Sequence, residues 1–561
     1  MIHNKINKST LIALAINCSA SPLIMAATYN PQSETRSIYD FSPLESQSEL
    51  TSLFLDPVQQ QDTNIQKKHY IETLDLIKEN KLLEAKLKID NLIQQAPNEP
   101  ENYNLQALLA TQEKNSSKAQ KSYQKAIKLD AKNLIAHLGL AKLALDKGDL
   151  LIAKEYSEKS LIINDKSVSA YLLLAEIANT KKNVKEAENI LLTAIKKVKY
   201  DAIKAINLAD NLAKFYAFHK QPEKILTLSE NLLKQYPNNK KMLSMLAKAQ
   251  ILNNQTNLAE QSLQQLINQD KQDIGHRLLL ARILINQQKN ENNILKLLNE
   301  TSAIDPNDPR APAYKAAYLI QLNRYKEALK ITDELELQFP KLMIGKLLKA
   351  DVYLAEKKFD KALNIKLQAY QIEPNERLLS SIISLMNMQG QLPKAVELLK
   401  QELTKKPNNN AIHFELAILY QKMGNLTQAT KHYQAVLNKT PKHAVTLNNL
   451  AWIYVQQGNP QALQFAKKAY SMAPESANIT DTYGYILLKQ GQNKEGLKIL
   501  LIAEKLSPKQ PEIQFHLAQA YSANNDTKQA IATLKPIVVE GLTYSEKESA
   551  ISLLKKLTAD Q

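Results

Sequence analysis

Glycine is scarce, 11 of 561 residues, about 2% where about 7% is usual. Tight hairpins, glycine-rich nucleotide loops and collagen all depend on glycine, so its shortage excludes chains built mainly from any of them. One cysteine, Cys18, excludes a disulfide framework and a cysteine-built metal site. Arginine is nearly missing. Six (Arg36, Arg277, Arg282, Arg310, Arg324 and Arg377) leave 66 of the 72 basic residues as lysine. Phosphate and base-edge recognition favours the arginine fork, so the net charge of +16 is read as lysine spread along the chain and no nucleic-acid partner is expected. Aromatic residues make up only 6%. Beyond the N-terminus no window of about 20 residues is free of charge, and the remainder is expected to be soluble.

What is present is leucine, isoleucine and alanine, which carry most of a 44% hydrophobic content beside 23% charged residues. That balance excludes global disorder and points to a chain that is nearly all helix.

The first residues read as an export signal. Lys5 and Lys8 precede an apolar run from Leu11 to Ala20, Pro22 breaks it, and Ile24-Met25-Ala26 offers a cleavage end. Residues 1–26 are therefore expected to be a signal peptide, and the mature chain periplasmic. Two rival readings remain: a short N-terminal anchor, or a lipoprotein attached to the membrane through Cys18. Asn17 stands where a lipoprotein signal wants a small residue. Residues 27–65, with Pro31, Pro43 and Pro57, read as a flexible leader.

Everything after that repeats. Small residues recur at Thr73, Ala107, Ala141, Ala175, Ala213, Ala247, Ala281, Ala316, Ala350, Ser384, Ala417, Ala451, Gly484 and Ala518, mostly 34 apart. A second small residue follows twelve positions later at Ala85, Ala119, Ala153, Ala187, Ala259, Ala328, Ala362, Ala429 and Ala530. The first mark lets two helices of one unit approach closely, and the second does the same where the next unit stacks. Gly148, Gly424, Gly458 and Gly491, seven after the first mark, supply the positive φ of a helix end. Prolines such as Pro97, Pro340, Pro374 and Pro441 are expected to open the following helix.

This pattern resembles the tetratricopeptide repeat (TPR) family over residues 66 to about 543, most closely from Ala444 to Tyr454 with Gly458 and Pro474. The resemblance implies an all-α fold, a right-handed α-solenoid superhelix of about 14 TPR helix-turn-helix units. Organisation follows: N-terminal units over 66–201, irregular units over 202–308 with four inserted residues and a candidate hinge, C-terminal units over 309–543, and a capping helix and tail over 544–561.

Catalytic motifs are missing. No H-x-x-x-H or H-E-x-x-H pairs the nine histidines, and no P-loop, G-x-G-x-x-G or G-x-S-x-G occurs. No enzyme activity, metal or cofactor is expected.

In TPR arrays the first helix of each unit lines a concave groove. By resemblance, positions 2, 5, 9 and 12 of each unit face it. In the C-terminal units this nominates Phe414 and Ile418, Asn448 and Trp452, Asp481 and Tyr485, and Phe515 and Gln519. Rings beside amides and a carboxylate suit an extended peptide or a sugar chain. The competing expectation is that Trp452 and Tyr485 pack between neighbouring helices. Tyr420, Tyr454 and Tyr521 fall at core positions. The carboxylate clamp and asparagine ladder of other arrays match poorly here.

The C-terminal run from Leu447 through Asp481 and Tyr485 to Phe515 is similar to exported TPR proteins that accompany exopolysaccharide and PEP-CTERM systems. That resemblance implies a non-enzymatic periplasmic scaffold for other envelope proteins or extended peptide segments. The alternatives are a polysaccharide-export scaffold that binds glycan directly and a regulator of an envelope hydrolase or synthase. A membrane contact is expected only with lipidation at Cys18. Cytoplasmic docking is opposed by the signal.

Overall fold

The computed structural model describes residues 64–559. Among them stand 29 α-helices and one 3-10 turn, with no strand. Residues 1–26, expected as a signal peptide with Cys18, and all but the last two residues of the expected leader 27–65 lie outside the described residues. The fold is an all-α TPR solenoid: a helix of about thirteen residues, a short turn, a helix of fourteen, and a second turn into the next unit, as in Asn410–Lys422 followed by Leu426–Lys439. By compactness the described residues divide in two, with 64–315 in one unit and 316–559 in the other.

Both rows of small residues are buried. Ala107, Ala141, Ala247, Ala417, Ala451 and Ala518 have no exposed surface, and neither do Ala85, Ala119, Ala187, Ala362 and Ala530. One tight approach is between Gly484 and Gly496, which fill the two small positions of one unit. A Cβ on Gly484 would lie 2.7 Å from Leu500, and one on Gly496 3.1 Å from the Gly484 carbonyl oxygen. No side chain fits between those backbones.

One mark is corrected. Ser384 is exposed, and the register position belongs to Ile383, 2% exposed. The helix turns by about 100° per residue, so one residue's shift carries Ser384 to solvent. Two further positions agree with the new register. Gly390, seven after Ile383, has φ +73°, and Ala395, twelve after it, is fully buried.

The turn inside each unit has one geometry throughout. Fourteen residues at the seventh position after the mark have positive φ; glycine fills five, and Asn80, Lys114, Lys182, Lys220, Asn254, Gln288, Asn323, Lys357 and Asn525 fill the rest. At Gly148 its N–H donates to Leu145 O (2.9 Å) and the next N–H to Ala144 O (2.9 Å), the pairing that closes a helix on a left-handed residue. The abundant asparagines also have a local role: Asn115, Asn133, Asn183, Asn239 and Asn409 accept a backbone N–H at the start of the helix that follows each.

The periodic prolines do not open helices. Pro97 lies between the Leu82–Gln95 helix and the helix that starts at Pro100, and Pro441 stands in the turn before Ala444. They follow the end of the preceding helix, which a ring without N–H cannot continue. The prolines that open helices are Pro100, Pro222, Pro393 and Pro511.

The four inserted residues near Ala202 become helix. Ala202–Phe218 has 17 residues against 13 in Val168–Thr180. Of the added residues, Ala205 is buried in an apolar cluster with Leu191, Phe215 and Ile225, and Ala202 packs against it. Lys547–Ala559 packs Ala550 and Leu557 into a cluster with Phe515, Leu534 and Tyr544.

Candidate functional site

The nominated C-terminal residues arise from four successive first helices, Asn410–Lys422, Ala444–Gln456, Ala477–Lys489 and Pro511–Ala523. Equal register brings their fifth and ninth positions onto one side. Trp452 and Tyr485 meet there, ring centroids 5.3 Å apart, and both stay partly exposed. Lys489 Nζ stands 5.1 Å from the Tyr485 ring, a cation–π contact. Asn448 lies one turn before Trp452 on the same helix and Gln519 holds the ninth position of the unit after that of Tyr485; Asn448 Oδ1 and Gln519 Oε1 are out of water with no internal hydrogen-bond partner.

Two nominated residues do not line an open surface. Phe515 is 3% exposed and belongs to the cluster covered by the Lys547–Ala559 helix. Asp481 is 7% exposed, because both of its carboxylate oxygens lie 2.9 Å from His516 Nδ1. Phe414 and Ile418 are half-buried against the core of the next unit, and the Phe414 ring sits 5.2 Å from that of His443. Of the nominated residues, Phe414, Ile418, Asn448, Trp452, Tyr485 and Gln519 keep partial exposure.

Beneath the rings lies a group absent from the nominated set. His516, 2% exposed, is held between Asp481 and Glu546, whose Oε1 is 3.4 Å from Nε2. Its ring centroid is 4.2 Å from Tyr485 and 6.1 Å from Trp452. Burial alone would push the imidazole toward its neutral form, but the two carboxylates outweigh it and raise its pKa to about 10. It is a fixed cation at neutral pH. Burial, with Glu546 and Asp481 adding to it, lifts the Tyr485 phenol to about 12, so its O–H stays intact. The period could have found His516, which lies one repeat plus one residue beyond Asp481. Glu546 lies beyond the last repeat and carries no periodic signal.

A second place on the same register was not nominated. Asn207, Asp210, Lys241, Ser244 and Lys248 occupy positions 2, 5 and 9 of two successive units, and with Met245 and His276 they line a cavity of about 370 Å³ within residues 64–315. It falls in the stretch whose marks are least regular. Among the described residues no group of three His, Cys, Asp or Glu side chains is arranged to hold a metal ion, and no helix is long and apolar enough to cross a membrane.

Comparison with known families agrees with the repeat geometry. Tetratricopeptide repeat models match residues 409–475, 219–283 and 100–133. The chain is a tetratricopeptide repeat protein. One of these matches, 219–283, lies in the stretch that fits the period worst. Among curated proteins this TPR chain is similar to Cellulose synthase 1 operon protein C of Komagataeibacter xylinus, 22% identical over 139 residues, 24% of this chain. The matched stretch spans only 10% of that relative's length. Among solved structures, the Cut9–Hcn1 hetero-tetramer of the APC/C is 14% identical with a TM-score of 0.34, over 88% of this chain and 96% of that one. A tetratricopeptide repeat protein from Parabacteroides merdae is 18% identical with a TM-score of 0.34, over 39% and 87%. Yeast Tom70 is 15% identical with a TM-score of 0.27, over 82% and 96%.

Proposed function

We propose that the chain is exported to the periplasm and acts as a scaffold that holds extended segments of other cell-envelope proteins along its C-terminal units. The observation that carries this is the Trp452–Tyr485 platform beside amide oxygens left without internal partners. Rings supply contact area, and a buried acceptor without a partner costs about 1–3 kcal/mol, which a small side-chain turn toward a partner's N–H would recover. The basic start of the chain with its apolar run supports export. The likeness to a cellulose synthase operon protein supports an envelope setting linked to exopolysaccharide.

The experiment is capture of partners from periplasm by the exported chain, with Trp452→Ala alongside. Loss of a specific partner, with helical content unchanged, is the expected result. Retention of every partner would end the groove reading. A chain recovered only from the cytoplasm, uncleaved, would end the export reading.

A second reading has its own support. The same ring pair with neighbouring amide acceptors suits a sugar, whose C–H face stacks on indole and whose hydroxyls donate. Quenching of Trp452, the one tryptophan of the chain, by soluble β-glucan oligosaccharides would favour direct glycan binding. No change in its emission at millimolar oligosaccharide would remove that reading.

A further inference from the structure

Many serines and threonines inside the helices of this protein turn their hydroxyls back on their own backbone, while Ser122 and Ser262 donate to a glutamine on the preceding helix. Ser157 donates to Ala153 O at 2.8 Å, Ser229 to Ile225 O at 2.6 Å and Thr301 to Leu297 O at 2.6 Å, the local habit of these side chains in helices. Ser244 behaves differently. In the middle of Lys240–Leu252 its hydroxyl lies 2.7 Å from Nε2 of His276, one unit further on. The other ring nitrogen, Nδ1, is 2.6 Å from Asp273 Oδ2. Asp273 is ionised: although burial works against it, the backbone and ring N–H groups of His276 and the Lys240 ammonium hold its pKa below the usual carboxylate range. An ionised carboxylate on Nδ1 fixes the proton there, which leaves Nε2 as acceptor for the Ser244 O–H.

We propose that Ser244, His276 and Asp273 form a nucleophilic triad for acyl transfer, opening into the 370 Å³ cavity. A hydroxyl bonded to an imidazole that is itself oriented by a carboxylate is the constellation that activates serine. Ser244 and His276 both line the cavity. Their substrate touches Ser244, while Asp273 is a positioning residue that acts through the ring. Ile206 and Met245 give the cavity an apolar side, and Lys241 and Asp210 line it with a cation and a carboxylate, so the class that fits is a small carboxylic ester with a polar alcohol half. The backbone N–H groups of this helix are spent within the helix, and Lys241, which lines the same cavity, is the donor assigned to the oxyanion.

The step balances with water alone. Ser244 Oγ adds to the ester carbonyl carbon as Nε2 takes its proton. Collapse breaks the bond to the alkoxide, which receives that proton and leaves as the alcohol. A water then gives a proton to Nε2 and its oxygen to the acyl carbon, the carboxylic acid departs, and Ser244 recovers its O–H. The triad was not legible in the sequence because its members are separated by 29 and 3 residues and belong to no linear motif.

The probe is an alkyl fluorophosphonate on the full mature chain, with adducts mapped by peptide mass. The expected result is one adduct, on Ser244, absent from Ser244→Ala. Mapping on the unmutated chain makes the outcome independent of how any variant folds. Asp273→Asn is the second variant, since asparagine caps the Ile274–Asn286 helix as well as aspartate does. It should leave probe affinity unchanged while slowing the labelling step on the order of 10²- to 10⁴-fold. No adduct on Ser244, or Asp273→Asn labelled at the unmutated rate, overturns the triad.

Discussion

Two histidines less than a hundred residues apart on the same scaffold end in opposite states. His516 is deeply buried yet cationic, because Asp481 and Glu546 face both ring nitrogens. His432 is only half-buried yet neutral: burial, then the charges of His413 and Lys431, push its pKa down to about 4. Its Nδ1 meets the Nδ1 of His413 at 2.9 Å, and its ring stacks on Tyr420 with centroids 5.6 Å apart. Depth in the solenoid therefore does not set the charge of a histidine here. What the neighbouring helix presents decides whether burial prevails: carboxylates override it at His516, whereas at His432 burial is the largest cause and another imidazole adds to it.

The largest effect should come from breaking the first arrangement. His516→Ala leaves Asp481 buried without its cation, and losing one partner of such a pair costs about 3–5 kcal/mol. Trp452 lies 6.1 Å from that ring, so its emission during urea unfolding reports on this region directly. The pH dependence carries the sign. The folded pKa, about 10, exceeds the ordinary value of about 6.5, so the stabilisation is complete below pH 6.5 and fades as pH rises toward 10. The midpoint of the unmutated chain should fall over that interval and that of His516→Ala should stay level. A cost below about 1 kcal/mol would mean that Asp481 simply takes up a proton, and the contrast between the two histidines would collapse.

How much of this was legible follows from what a 34-residue period can carry. Alanines at 107, 417 and 451 announce themselves because only small side chains fit where backbones touch. The same logic failed at Ser384, where a small residue stood one place past a bulky Ile383 at the true contact. The groove register placed Trp452 and Tyr485 together but could not show that Phe515 and Asp481 are covered, because what covers or binds them, the Lys547–Ala559 helix and His516 with Glu546, involves a segment outside the repeat. A period records spacing, not the residue that another unit places opposite.

The second prediction tests the neutral histidine. Its folded pKa, about 4, lies below the ordinary 6.5, so the unfolded chain binds more protons between those values and stability is lost as pH falls from 6.5 toward 4. After halving for the exposed part of the ring, that loss is about 1.5 kcal/mol. His432→Phe keeps the stack on Tyr420 and removes the proton. At pH 4.5 the variant should exchange its amides in 410–439 more slowly than the unmutated chain, and at pH 7.5 no more slowly. Equal exchange at both pH values would show that His432 charges freely and that the opposition of the two sites is overstated.

The smallest effect separates charge from backbone. Gly491 closes the Ala477–Lys489 helix that carries Asp481, with φ +77° and open space where a Cβ would stand. Gly491→Ala therefore adds no clash and touches no charge, and its whole cost is the left-handed conformation, about 1 kcal/mol. The nine turns that already accept lysine, asparagine or glutamine at the same position require the cost to be of that modest size. Unfolding followed at Trp452 should shift by the same amount at pH 6.5 and pH 10, whereas the effect of His516→Ala should shrink between them. A Gly491→Ala cost that varied with pH would mean that the turn and the buried ion pair open together, and the pH signal assigned to His516 would then belong to the unit as a whole.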